Sequence, residues 1–169
     1  MAPSYHQINS KEITMGKKLD KKTSILTAEE KLVICELIST YSFMWDEKNA
    51  IGLSHLFAEK CVWGWYRLDG TKVLEIINRK AFNDFVEETF NDQLKGIQTR
   101  HFQTNTIFIE SKEIMVKTKT IYFSTKVMLN GKMDMENQPL ASYQGVYEDE
   151  FVKAENGWKF KSRKVITDN

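Results

Sequence analysis

The hydrophobic pattern of this chain changes period near residue 97, and that change constrains the fold more than any other feature. Before it, apolar residues recur at helical spacing; from Ile97 onward they alternate. A 3.6-residue period gathers side chains on one side of a helix, whereas a two-residue period gathers them on one face of a strand. Helices that precede a run of strands, rather than alternating with them, lead to an α+β domain with the helices on one face of an antiparallel sheet. At 169 residues the chain has room for one such domain and a short tail.

The helical part starts at Thr27-Ala28-Glu29-Glu30, a capping box in which hydroxyl and carboxylate satisfy free amides at a helix start. The helix is predicted to run to about Asp46, with an apolar stripe of Val33, Ile34, Leu37, Ile38, Tyr41, Met44 and Trp45. A short second helix fits 50–58, a strand fits Cys61 to Tyr66, and Asp69-Gly70 ends it with a turn. A third, amphipathic helix fits Arg79 to Leu94, with Phe82, Phe85, Val86 and Phe90 along one side. Four strands follow, near 98–109, 113–128, 140–153 and 158–166. Asn156-Gly157 marks a hairpin between the last two and Asn130-Gly131 marks the connection before them, because Asn and Gly tolerate positive φ. When such a sheet curves around a helix layer, its concave side need not fill, which leaves a pocket lined by alternate strand residues.

Residues 1–26 carry Lys11, Lys17, Lys18, Lys21 and Lys22 against Glu12 and Asp20, without periodicity; they are expected to form a disordered basic tail ahead of a domain at 27–169. Over the whole chain 24 Lys+Arg balance 23 Asp+Glu, so there is no overall field to attract nucleic acid or an anionic membrane. No signal-peptide core and no run of about 20 apolar residues occurs, and the cytoplasm is the expected location. Two cysteines, Cys35 and Cys61, and three histidines, His6, His55 and His101, supply neither a disulfide framework nor a zinc site. No Gly-rich phosphate loop and no Gly-x-Ser-x-Gly elbow is present, so neither a metal nor an organic cofactor is expected.

His101 is the histidine that falls in a predicted strand. Alternation puts His101, Gln103 and Asn105 on one face and Arg100, Phe102 and Thr104 on the other. On the outer face the polar row is merely solvated; on the concave face it converges around a titratable imidazole. Asp46 lies about 150° from the centre of the helix stripe at 100° per residue, which reads as an exposed acid in a last turn. Tyr41, Trp45, Trp63, Trp65, Tyr122, Tyr143 and Tyr147 suit either a core or a pocket for a flat organic molecule. Lys117, Lys119 and Lys126 read as a solvated face. Alternation alone does not fix the faces that Asp149 and Arg163 take.

The segments WDEKNAIGLSHLFAEKCVW, TRHFQTN and GVYEDEFVKAENGWKFKSR, in this order between helices and hairpins, resemble the SnoaL-like family of the nuclear transport factor 2-like superfamily over roughly 27–168. The resemblance implies a cone-shaped α+β domain with a deep pocket between N-terminal helices and a curved antiparallel sheet. Members include cyclases, dehydratases, isomerases and non-catalytic binding or assembly modules. Trp45-Asp46 and Thr99-Arg100-His101-Phe102 are similar to the motifs of scytalone dehydratases, which implies that Asp46 orients His101 and that His101 moves a proton next to a carbonyl. The tyrosines that hold a water in those enzymes fall here at Trp45 and Trp65, the second histidine near Ser124, and the downstream Ser and Asn near Gly145 and Tyr147. The implied function is a cofactor-free dehydratase, isomerase or cyclase acting on a small cyclic, polyketide-like or terpenoid-like substrate. Asp46 and His101 would be its dyad, and Tyr41, Trp45, Trp65, Asn105, Ser124 and Tyr147 would line its site. A homo-oligomer, dimer or trimer, is expected. The alternative is a non-catalytic module of the same superfamily.

Overall fold

A computed structural model describes residues 26–129 and 138–168. Residues 1–25 of the expected tail and the Asn130-Gly131 connection lie outside the described residues. Leu26, counted with that tail, is 6% exposed and packs in the core.

Helix α1, Ala28–Asp46, begins with the capping box: the Glu30 amide donates to Thr27 Oγ1 at 3.1 Å and the Thr27 amide to Glu30 Oε2 at 3.0 Å. Helix α2, Ala50–His55, is capped by Asn49 and ends three residues earlier than its apolar pattern suggested, because Phe57 opens strand β1, Phe57–Arg67. The turn at Asp69-Gly70 is formed, with Gly70 at φ +86° and Asp69 Oδ1 accepting from the Thr71 amide at 2.8 Å. It leads into β2, Lys72–Ile77, a strand with no clean alternation to announce it: Ile76 alone of its side chains is buried. Helix α3, Arg79–Glu88, is capped by Asn78 and widens into a π turn at Thr89–Gln93 before the chain reaches Leu94.

Four long strands complete the fold: β3 at Ile97–Lys112, β4 at Met115–Met128, β5 at Leu140–Ala154 and β6 at Gly157–Thr167. The sheet order is β2-β1-β6-β5-β4-β3. The meander from β3 to β6 is antiparallel as expected, but β6 closes on β1 in parallel, so the six-stranded sheet is mixed. Alternation reveals which face a residue takes and says nothing about strand direction.

The helices cover the inner face of the sheet. Ile34, Ile38, Leu53, Phe57, Phe82, Val86, Phe151 and Phe160 are each no more than 2% exposed, and Phe57 and Phe160 stack at 5.0 Å between centroids across the parallel pair. One flank of the helix layer is polar. There α1 lies along β3, where Gln103 donates to Ser42 and Gln98 donates to the Asp46 carbonyl at 2.8 Å. This seam fixes the end of α1 against the start of β3 and so positions the site.

Candidate functional site

Asp46, in the last turn of α1, is 7% exposed rather than solvated. The apolar stripe identified the core side of α1 but missed its polar edge, where Ser42 and Asp46 are buried against β3. That edge faces donors instead of water. Thr99 Oγ1 donates to Asp46 Oδ1 at 2.8 Å, the His101 amide donates to Oδ2 at 2.9 Å, and His101 Nδ1 lies 2.7 Å from Oδ1. A carboxylate only accepts, so Nδ1 carries a proton, and in the neutral imidazole Nε2 then presents its lone pair. Nε2 has no hydrogen-bond partner among the described residues. The imidazole is 12% exposed and meets the edge of Trp45, with centroids 6.3 Å apart.

His101 opens onto a cavity of about 280 Å³ between the helices and the inner face of the sheet. Tyr41, Trp45, Trp65, Ser124 and Tyr147, all expected at the site, line it with His101, while Asp46 stands behind the imidazole. Their polar tips are mostly engaged. Trp63 Nε1 donates to the Tyr41 hydroxyl at 3.0 Å and Trp65 Nε1 to Thr167 Oγ1 at 3.2 Å. Ser124 Oγ accepts from the Tyr143 amide and donates to its carbonyl, each at 3.1 Å, where β4 and β5 shift register. Its hydroxyl therefore holds the strands together and forms wall. Tyr147 stacks on Tyr122 with centroids 4.1 Å apart and planes 2° from parallel.

Asn105 does not join them. The ladder between β3 and β4 slips between Thr104 and Ile107, Asn105 takes φ +54°, and its side chain is exposed. Strict alternation carried it into the pocket; the bulge takes it out. Lys126, grouped with Lys117 and Lys119 as a solvated face, is exposed but lines the cavity mouth. Thr99 is a part of the site that the sequence reading did not assign, and Tyr122, which it left between core and pocket, lines the cavity. A threonine two residues before His101, on the same strand face, was the available signal for Thr99.

Beneath the aromatic wall lies a fully buried ion pair. Arg163 donates from Nε to Asp149 Oδ1 at 2.8 Å and from Nη2 to Oδ2 at 2.7 Å, and neither side chain has any exposure. The guanidinium lies 4.0 Å from the Tyr41 ring centroid and 4.2 Å from that of Tyr147, a cation–π stack that steadies both rings. Burial works against the Arg163 charge, but Asp149 beside it holds the guanidinium pKa above its ordinary value. Burial also pushes the phenols of Tyr41, Tyr122 and Tyr147 above their ordinary value, so they remain neutral donors. Among the described residues, no group of three or more His, Cys, Asp or Glu side chains comes together to hold a metal, and no helix is long and apolar enough to cross a membrane.

The geometry can be set beside known proteins. No curated protein matches the chain. Solved structures share its fold. One, from Novosphingobium aromaticivorans and provisionally described as a scytalone dehydratase, is 20% identical with a TM-score of 0.65, covering 85% of this chain and 89% of that one. Another from the same organism, provisionally described as the beta subunit of an aromatic-ring-hydroxylating dioxygenase, is 16% identical with a TM-score of 0.67 over 80% of this chain and 87% of that one. ActVI-ORFA from Streptomyces coelicolor is 15% identical with a TM-score of 0.66 over 82% of this chain and 97% of that one. At these identities the likeness is one of fold. The family model described as the SnoaL-like domain matches residues 26–164, and the chain therefore belongs to the SnoaL-like domain family.

Proposed function

We propose that the cavity is the active site of a general acid–base enzyme, a dehydratase, isomerase or cyclase that works without metal or organic cofactor on a small cyclic, polyketide-like or terpenoid-like substrate. The observation that carries this reading is the 2.7 Å contact between Asp46 Oδ1 and His101 Nδ1 at the wall of an aromatic cavity. With Nδ1–H tied to Asp46, Nε2 is the base. It takes a proton from a carbon next to a carbonyl, and the electron pair of that C–H bond moves onto the carbonyl oxygen as an enolate. In a dehydration the enolate then expels a hydroxyl, which collects the same proton from Nε2 and leaves as water. Asp46 stabilises the imidazolium between the two transfers.

The test is turnover in a screen of cyclic ketones and polyketide-like compounds with wild type and His101→Ala. A general base contributes roughly 10²–10⁴-fold, so the variant loses at least about a hundredfold while keeping its fold by circular dichroism. Turnover retained in a folded His101→Ala protein removes the role.

A second reading, an assembly module, rests on a different surface. Phe102, Ile107, Ile109, Ile121 and Phe123 are exposed on the outer face of β3 and β4, and the partner that fits this apolar face is a second copy of the chain, since an isologous contact is self-complementary. Light scattering on wild type and Phe102→Glu reads it: a dimer that the substitution dissociates supports self-association through this face, and a monomeric wild type excludes it.

A further inference from the structure

The charges around the cavity are one-sided. Among the described residues no Asp or Glu lines it, and beside the titratable imidazole of His101 the charged lining side chain is Lys126. Lys126 follows Tyr122 and Ser124 along the inner face of β4, directly opposite Thr99 on β3, while His101 faces Ser124. The lysine is therefore one diagonal step, about 7 Å along the strand, from the imidazole. On the opposite face of the same strand, Lys117 pairs with Glu110 at 3.0 Å and Lys119 with Glu148 at 2.6 Å. Lys126 has no such partner among the described residues. A cation that meets no counter-charge among the described residues, at the mouth of an aromatic cavity, favours a ligand that brings the counter-charge with it.

We infer that the cavity takes a flat aromatic or polycyclic carboxylic acid, its carboxylate on Lys126 Nζ at the mouth and its rings between Trp45, Trp65 and Tyr143. This deepens the function proposed above and rests on its reading of the cavity as a ligand site. With the carboxylate anchored there, the first ring falls beside His101 Nε2, which makes Lys126 a binding residue that sets orientation rather than one that moves a proton. The free acid is then preferred over its neutral ester or amide. A charge-assisted hydrogen bond at a partly exposed position gives roughly a five- to tenfold preference, reduced by salt.

Calorimetric titration of the whole chain with naphthalene carboxylate and with naphthalene carboxamide, in wild type and Lys126→Met, tests the assignment. Lys126 is exposed, so the substitution leaves the fold in place, which circular dichroism checks. The expected result is a wild-type preference for the carboxylate of roughly five- to tenfold that falls to about one in the variant. Equal binding of both ligands to wild type, or a preference that persists in Lys126→Met, overturns the role of Lys126 while leaving the cavity a ligand site. Binding of neither ligand to wild type overturns the inference together with the ligand-site reading beneath it.

Discussion

Three side chains in and behind the cavity wall are held by partners from other strands or helices: Asp46, His101 and Arg163. The motifs around Trp45-Asp46 and Thr99-Arg100-His101-Phe102 pointed to the first two, yet the helical period argued against their meeting. A period count treats every polar position as solvated, and here the polar edge of α1 is covered by donors on β3: Thr99 Oγ1, the His101 amide and the Gln98 side chain. Arg163 was legible only as a name. Counted back from the Gly157 turn without interruption, the hairpin pairs it with Glu148; a register shift between Glu150 and Phe151 moves its partner to Asp149. Removing one member of a buried pair leaves the other charge unpaired, at a cost of about 3–5 kcal/mol. Arg163→Met is therefore expected to lose that much in urea unfolding, and Arg163→Met with Asp149→Leu to regain a large part of it. A single variant as stable as wild type would contradict the pairing.

At the scale of elements, periodicity located α1, α3 and the four long strands, and missed what interrupts them. Strand β2 lacks alternation, the π turn at Thr89–Gln93 leaves no mark in composition, and the slip at Asn105 is a local backbone choice. Gly145 is one such irregularity with a consequence. It stands on the inner face of β5, opposite Tyr122 on β4 and Thr167 on β6, where the backbone of β6 comes too close to admit a side chain. A Cβ there would lie 1.9 Å from the Ile166 carbonyl oxygen, a contact that backbone must move to relieve. Gly145→Ala is expected to destabilise the protein by more than about 2 kcal/mol in denaturant unfolding, well beyond the effect of Ala at the open turn of Gly70. Equal effects at the two positions would show that β5 and β6 relax freely there.

Across the whole molecule, the helices seal the apolar end of the sheet and leave its other end as a cavity whose walls are largely phenol and indole. That arrangement has a signature in alkali. Burial holds the phenol pKa of Tyr41, Tyr122 and Tyr147 above the ordinary value of 10.0, whereas in the unfolded chain the same groups release their protons near pH 10. The folded state then binds more protons than the unfolded one, so stability is intact below about pH 10 and falls above it by up to about 1.4 kcal/mol per pH unit for each phenol. Tyrosinate absorbance from these three is expected to appear only together with loss of the circular dichroism signal. All tyrosines titrating near pH 10 with the fold intact would contradict their burial. The central claim, that Asp46 fixes His101 with Nε2 as the base toward the cavity, is tested most directly by long-range proton–nitrogen correlation NMR of the His101 ring in wild type and Asp46→Ala. The account predicts the Nδ1–H tautomer in wild type and its loss in the variant. An Nε2–H tautomer in wild type, or the same ring spectrum in both proteins, would contradict it.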